Sequence, residues 1–106
     1  MRTHLRFLSA AAVIGASVII NTCASVDHHC VVEDGVHIAP GAHLASHVRI
    51  ARGAWVGVGA SVRERVRIGA KSIIGVGSAV VSDIPAGVVA YGVPAAIMKP
   101  AKDDPR

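Results

Sequence analysis

Large rings are nearly missing from this chain. Its 106 residues include one phenylalanine, one tryptophan and one tyrosine: Phe7, Trp55 and Tyr91. A globular core of this size ordinarily leans on several aromatics. An interior of Val, Ile, Leu and Ala alone points instead to narrow, repeated slots. Cysteine is scarce too. Cys23 and Cys30 are the two, too few for a disulfide framework, and neither has the CxxC or His-x3-His companions of a zinc module. A reducing compartment, the cytoplasm, is the simpler reading. The formal charge of +4 suits an anionic ligand. There is no Lys/Arg run and no interleaving of aromatics with cations, so nothing argues for nucleic acid. The length bounds one small domain.

What is present is a period of six. From Ile14 to Val80 every sixth residue is Ile, Val or Leu, and Leu8 extends the column upstream. Four residues after each column residue comes a second series, from Val18 to Ile84, made of Val, Ala, Cys, Ser and one Ile. Neither a 3.6-residue helix nor plain alternation produces this. It predicts a parallel β-helix of the hexapeptide kind. Each six supplies one short strand and one turn, and three sixes close a triangular coil. The column residue points inward at a strand centre, and the smaller residue points inward near a corner. Gly15, Gly57, Gly69 and Gly75, with Asn21 and Asp27, fit a chain that bends sharply just after the column residue.

The same register reads the N-terminus. MRTHLRFLSAAAVIGASVII has the outline of a signal peptide. It is short for a membrane span, and Ser9 and Ser17 interrupt it. Leu8, Ile14 and Ile20 keep the lattice phase, which favours coil over signal peptide. The expected division is a lead-in over 1–7, the β-helix over 8–84, and a cap and tail over 85–106. The repeat is expected to fail at Pro85, and IPAGVVAYGVPAAIMKP to close the stack and run along its side. No matching cap is legible at the other end, whose exposed strand edges need cover. The chain reads as the C-terminal part of something larger, or as a truncated copy.

The stretch SVDHHCVVEDGVHIAPGAH concentrates the chemistry. Equivalent positions lie eighteen residues apart, so His29 stacks on His47, His28 on Ser46 and His37 on Trp55. His37 follows His28 by half a coil, which puts them on opposite sides of one prism. They meet only if His28 of one subunit faces His37 of another, and a closed trimer is the natural symmetry for three-sided prisms. His29 and His47 make at most a two-ligand pair where zinc ordinarily takes three or four protein ligands, so no metal is expected. Cys30 is a small core residue and Cys23 an exposed turn residue. His4, His29, His43 and His47 read as histidines on wet corners.

NTCASVDHHCVVEDGVHIAPGAHL and the closing YGVPAAIMK resemble the sugar O-acyltransferases of the sialic acid O-acetyltransferase family. That family includes bacterial enzymes that N-acetylate nucleotide-linked amino sugars. The resemblance covers about Leu8 to Lys99 and implies a left-handed β-helix. It implies acyl transfer from acetyl-CoA to a sugar amine or hydroxyl. His28 matches the general base and His37 a second active-site histidine supplied by the neighbouring subunit. Asn21 and a backbone N–H near Ser46 fall to the substrate and the oxyanion. Gly57, Gly59, Gly75 and Gly77 would let the pantetheine arm lie close to the backbone, and Lys99 would meet the CoA phosphates. Relatives carry an acid directly after the base, and this chain has His29, so Asp27 must substitute. Ala96 stands where a basic residue follows GVPA. The N-terminal nucleotide-sugar-binding domain of full-length relatives has no counterpart. These departures favour a second reading, a catalytically weak trimerising β-helix. A third is a metalloprotein like the γ-type carbonic anhydrases, whose zinc sits between subunits on three histidines.

Overall fold

The computed structural model describes residues 2–3, 6–8 and 11–103. His4 and residues 104–106 lie outside them. Its strands are mostly two residues long. In chain order they are β1 (Arg2–Thr3), β2 (Arg6–Leu8), β3 (Val13–Ile14), β4 (Ile19–Ile20), β5 (Ala24–Val26), β6 (Val31–Val32), β7 (His37–Ile38) and β8 (His43–Leu44). There follow β9 (Arg49–Ile50), β10 (Trp55–Val56), β11 (Ser61–Val62), β12 (Arg67–Ile68), β13 (Ile73–Ile74) and β14 (Ala79–Val80). Two longer strands, β15 (Val88–Gly92) and β16 (Ala95–Pro100), end the fold before a single 3-10 turn at Ala101–Asp103.

Every third strand shares a sheet, which makes three faces. The first runs β1, β4, β7, β10, β13, β15 and β16, the second β2, β5, β8, β11 and β14, and the third β3, β6, β9 and β12. From β2 to β14 the pairing is parallel with an eighteen-residue offset: Ile20 lies on Ile38 and Ile38 on Val56, while Val26 lies on Leu44 and Leu44 on Val62. The column is therefore a set of three inward stacks. Ile20, Ile38, Leu44, Ile50, Ile68 and Ile74 are fully buried, each contributing about 1.5–3 kcal/mol by burial. The corner series, including Val18, Ala24, Cys30, Ala42 and Ala54, is buried as well. Strands this short hold because every coil lends its backbone to the next, as in His37 N–H to Ala54 C=O at 3.0 Å and Trp55 N–H to Ser72 C=O at 2.9 Å.

The bend at each corner is not where the glycines after the column residue had placed it. Gly15, Gly57, Gly69 and Gly75 do not take positive φ; the residue two places later does. One corner sequence runs Cys23, Gly41, Gly59, Gly77 and another runs Ala11, His29, His47, Arg65, with φ between 58° and 70°. Gly57 and Gly75 serve close approach instead. A Cβ on Gly57 would meet Gly75 backbone 2.9 Å away, and one on Gly75 would meet the Tyr91 Cβ at 2.6 Å.

The lattice also ends sooner than Pro85. Ile84 pairs with Ile68, sixteen residues back, so it fills a strand-centre slot of the third face and not the corner slot its spacing assigned. The last turn is two residues short. β15 then joins the first face parallel to β13, and β16 folds back antiparallel upon it. Two buried serines of the corner series face this closing hairpin: the Ser72 hydroxyl donates to the Pro85 carbonyl, and the Ser78 Oγ accepts from Gly92 N–H at 3.1 Å. They are serine and not alanine because the cap brings backbone polar groups onto the stack.

Candidate active site

His28 and His29 occupy the turn between β5 and β6, at the corner where the second face meets the third. His47 and Arg65 follow on the same edge, one and two coils further on. The His29 and His47 rings stack with centroids 4.9 Å apart and planes 8° from parallel. His28 lies edge-on to both, 5.2 Å from His29 and 5.5 Å from His47. Its Nδ1 is 2.9 Å from the Nδ1 of His29. The spacing of eighteen found the His29–His47 pair; the structure brings a third histidine to it. The His47 Nδ1 is buried with no hydrogen-bond partner among the described residues. Burial first, then the charges of Arg65, His29 and His28, hold the His47 imidazole below the ordinary histidine range.

Asp27 Oδ1 accepts the backbone N–H of His28 at 2.7 Å. Its carboxylate therefore shapes the turn, and the neighbour that meets the His28 ring nitrogen is His29. Asn21 does the same at the preceding corner, its Oδ1 accepting Thr22 N–H at 2.8 Å. One coil beyond His28, about 4.8 Å along the stack, Ser46 C=O accepts from Arg65 N–H at 3.0 Å. The Ser46 N–H itself donates to no group among the described residues.

His37 stands on β7 of the first face, across the prism from the His28 corner. It stacks on Trp55, with centroids 4.3 Å apart. His43 is on a flat face and not on a corner: it opens β8, exposed, with its Nδ1 2.7 Å from Ser25 Oγ on β5. Gly57, Gly59, Gly75 and Gly77 form the corner between the first and second faces. Beside Gly59 and Gly77 an added Cβ would find nothing within 4 Å, so these two border open space. Lys99 is exposed on β16, paired with Val89. Cys30 is buried, its thiol pushed up by that burial, with Sγ 3.0 Å from the Ala45 carbonyl; Cys23 is exposed.

Beside the histidine corner runs a groove of about 260 Å³ lined by His29, Val31, His47, Arg49, Arg65 and Arg67, with Val48 at its floor. Arg49 reaches Glu33 at 3.7 Å. The sequence carried a signal for this basic groove: Arg49 and Arg67 are eighteen apart, as are His47 and Arg65.

No family model and no curated protein matches the sequence. Solved structures do. The acetyltransferase domain of PglB from Neisseria gonorrhoeae is 34% identical, with a TM-score of 0.83, over 91% of this chain and 56% of that one. A second structure of that domain is a complex with acetyl coenzyme A. A histidine-to-asparagine mutant of perosamine N-acetyltransferase from Caulobacter crescentus, in complex with CoA and GDP-perosamine, is 37% identical, with a TM-score of 0.80, over 92% of this chain and 52% of that one. The fold is the hexapeptide-repeat β-helix of those sugar acetyltransferases. Its coil is left-handed, as in those neighbours. This β-helix spans about half the length of the acetyltransferases it matches. No helix among its described residues is long and apolar enough to cross a membrane.

Proposed function

We propose that the chain moves an acetyl group from acetyl-CoA to an amine or hydroxyl of a sugar or nucleotide sugar, with His28 as general base. The observation that carries this is a pairing at one corner. An exposed imidazole, His28, stands one coil from a backbone N–H, that of Ser46, which the fold leaves unbonded. The acceptor's proton passes to His28 as its lone pair attacks the thioester carbonyl. The carbonyl oxygen becomes an oxyanion, and Ser46 N–H donates to it; one such donor is worth about 3 kcal/mol in acyl transfer. The C–S bond then breaks and CoA leaves as a thiolate that takes up the proton. The complexes of the neighbours with acetyl-CoA, CoA and GDP-perosamine support the same donor and a nucleotide-sugar acceptor here.

The rest of the site is assembled between chains. His37 sits across the prism from His28, so in this reading a homotrimer brings the His37 of a second copy to the thioester. The open glycine edge at Gly59 and Gly77 takes the pantetheine arm, with Gly57 and Gly75 keeping the backbone flat behind it. Lys99 meets the CoA phosphates, and Asn21 borders the acceptor. Two thiols without a disulfide and a CoA donor suit the cytoplasm. A second reading is favoured by one specific observation: no carboxylate among the described residues holds the His28 imidazole, whose partner is His29. It makes the chain a trimerising β-helix with little turnover. Free CoA release from acetyl-CoA, followed across a panel of amino sugars and nucleotide sugars, separates the two. Acceptor-dependent release supports the transferase. A folded trimer that releases none supports the scaffold.

A further inference from the structure

His28, His29 and His47 each offer one ring nitrogen, and these three atoms lie within 4.8 Å of one another. The arrangement is a product of the coil. The turn places two histidines side by side, and the eighteen-residue register lays the third over the second. Two imidazole nitrogens on a single transition-metal ion stand about 2.9–3.4 Å apart, given bonds of about 2.0–2.1 Å. The Nδ1 atoms of His28 and His29 are already at 2.9 Å. The buried His47 Nδ1 has no partner among the described residues to give up. The donor set is all nitrogen, which suits Zn2+, Ni2+ or Cu2+ and excludes the oxygen-seeking Mg2+ and Ca2+. Arg65 on the same edge opposes a cation, and the neighbouring arginine groove would suit an anion. Three histidines that each bring a ring nitrogen within 4.8 Å of the others are the feature that decides for the metal.

We propose that His28, His29 and His47 form a three-histidine site for a transition-metal dication, and that its occupancy inhibits the enzyme by withdrawing His28 from proton transfer. The inhibitory half rests on His28 as the base; the site itself does not. The metal is an inhibitor here and has no part in the acetyl transfer.

The probe is Zn2+ alone, titrated calorimetrically into the full chain without an affinity tag, with Cys23→Ser removing the exposed thiol. One ion per chain is expected. His29→Asn and His47→Asn should each weaken binding about tenfold or more, since lesser changes around metal sites already cost that much. Asn tolerates the left-handed conformation of both positions, so each variant should keep its fold, checked by circular dichroism and molar mass. Absence of stoichiometric Zn2+ binding overturns the site, as does an unchanged affinity in both variants. Inorganic phosphate binding that Arg65→Gln weakens, with no Zn2+ binding, would assign the corner to an anion. Acetyl transfer is then measured separately. Zn2+ should stop it and a chelator restore it, while His47→Asn should resist Zn2+ relative to its own metal-free rate. Transfer that continues with Zn2+ bound overturns the inhibition and leaves the site. Binding without any transfer at any metal level speaks against the proposed function and leaves the site intact.

Discussion

An imidazole is a poorer partner than a carboxylate for the base proposed at His28, which must become positive. His28 meets the ring nitrogen of His29 at 2.9 Å, whereas a carboxylate in that place would orient the ring and stabilise the imidazolium. The nearest acid in sequence, Asp27, is committed to the backbone of the same turn. His29→Asp is therefore expected to raise acetyl transfer by roughly tenfold, a modest share of what a positioned base contributes. Steady-state rates with acetyl-CoA and an acceptor sugar check this, and an unchanged rate would show that orientation of His28 does not limit turnover. The pairs His29–His47 and His37–Trp55 were legible in the sequence, because an eighteen-residue register decides which Cβ atoms stack. The turning of the His28 ring toward His29 and His47 was not. The register lays His28 on Ser46, and the direction of a turn side chain is set by its rotamer.

At the scale of the element, each coil is three strands and three corners, and both parts respond to substitution in opposite ways. Ile38 is fully buried between Ile20 and Val56 in one inward stack. Ile38→Ala should cost about 2–5 kcal/mol, since the flanking coils are tied by backbone bonds and cannot collapse into the gap. Chemical denaturation measures it, and a loss below about 1 kcal/mol would mean the stack is not close-packed. Cys23 holds φ at 58° where Gly41, Gly59 and Gly77 hold the same corner further on. Cys23→Gly should stabilise by up to about 1 kcal/mol, because the relief of left-handed strain exceeds the added chain entropy. A loss of stability in the same assay would contradict this. The strands were readable because inward slots accept only apolar residues of limited size. The two-residue shortening before Pro85 was not, because Ile84 is an acceptable letter for either slot. The hairpin of β15 and β16 was foreseen only as a cap, since the period that identified every other element stops there.

The whole molecule is a prism whose proposed catalytic groups stand on different sides. His28 is on a corner and His37 on the face across from it, so under the proposed function a single copy holds half of each site. A molar mass of three chains in solution is expected by light scattering, and a stable monomer that still transfers acetyl groups would contradict a site shared between copies. The β-helix and its coil register came from the repeat, and the left hand came from the resemblance. The proposed donor and acceptor classes rest on the quoted motif and on the neighbours' complexes, because an acyl acceptor leaves no periodic trace in the repeat.

The most direct test compares acceptor-dependent CoA release by the wild-type chain and by His28→Ala, both at the same oligomeric state. His28 is an exposed turn residue, so its truncation leaves the stack intact. Release by the wild type that falls about 10²–10⁴-fold in the variant is the expected result. Equal release by both would contradict His28 as the base and move the chemistry elsewhere on the prism.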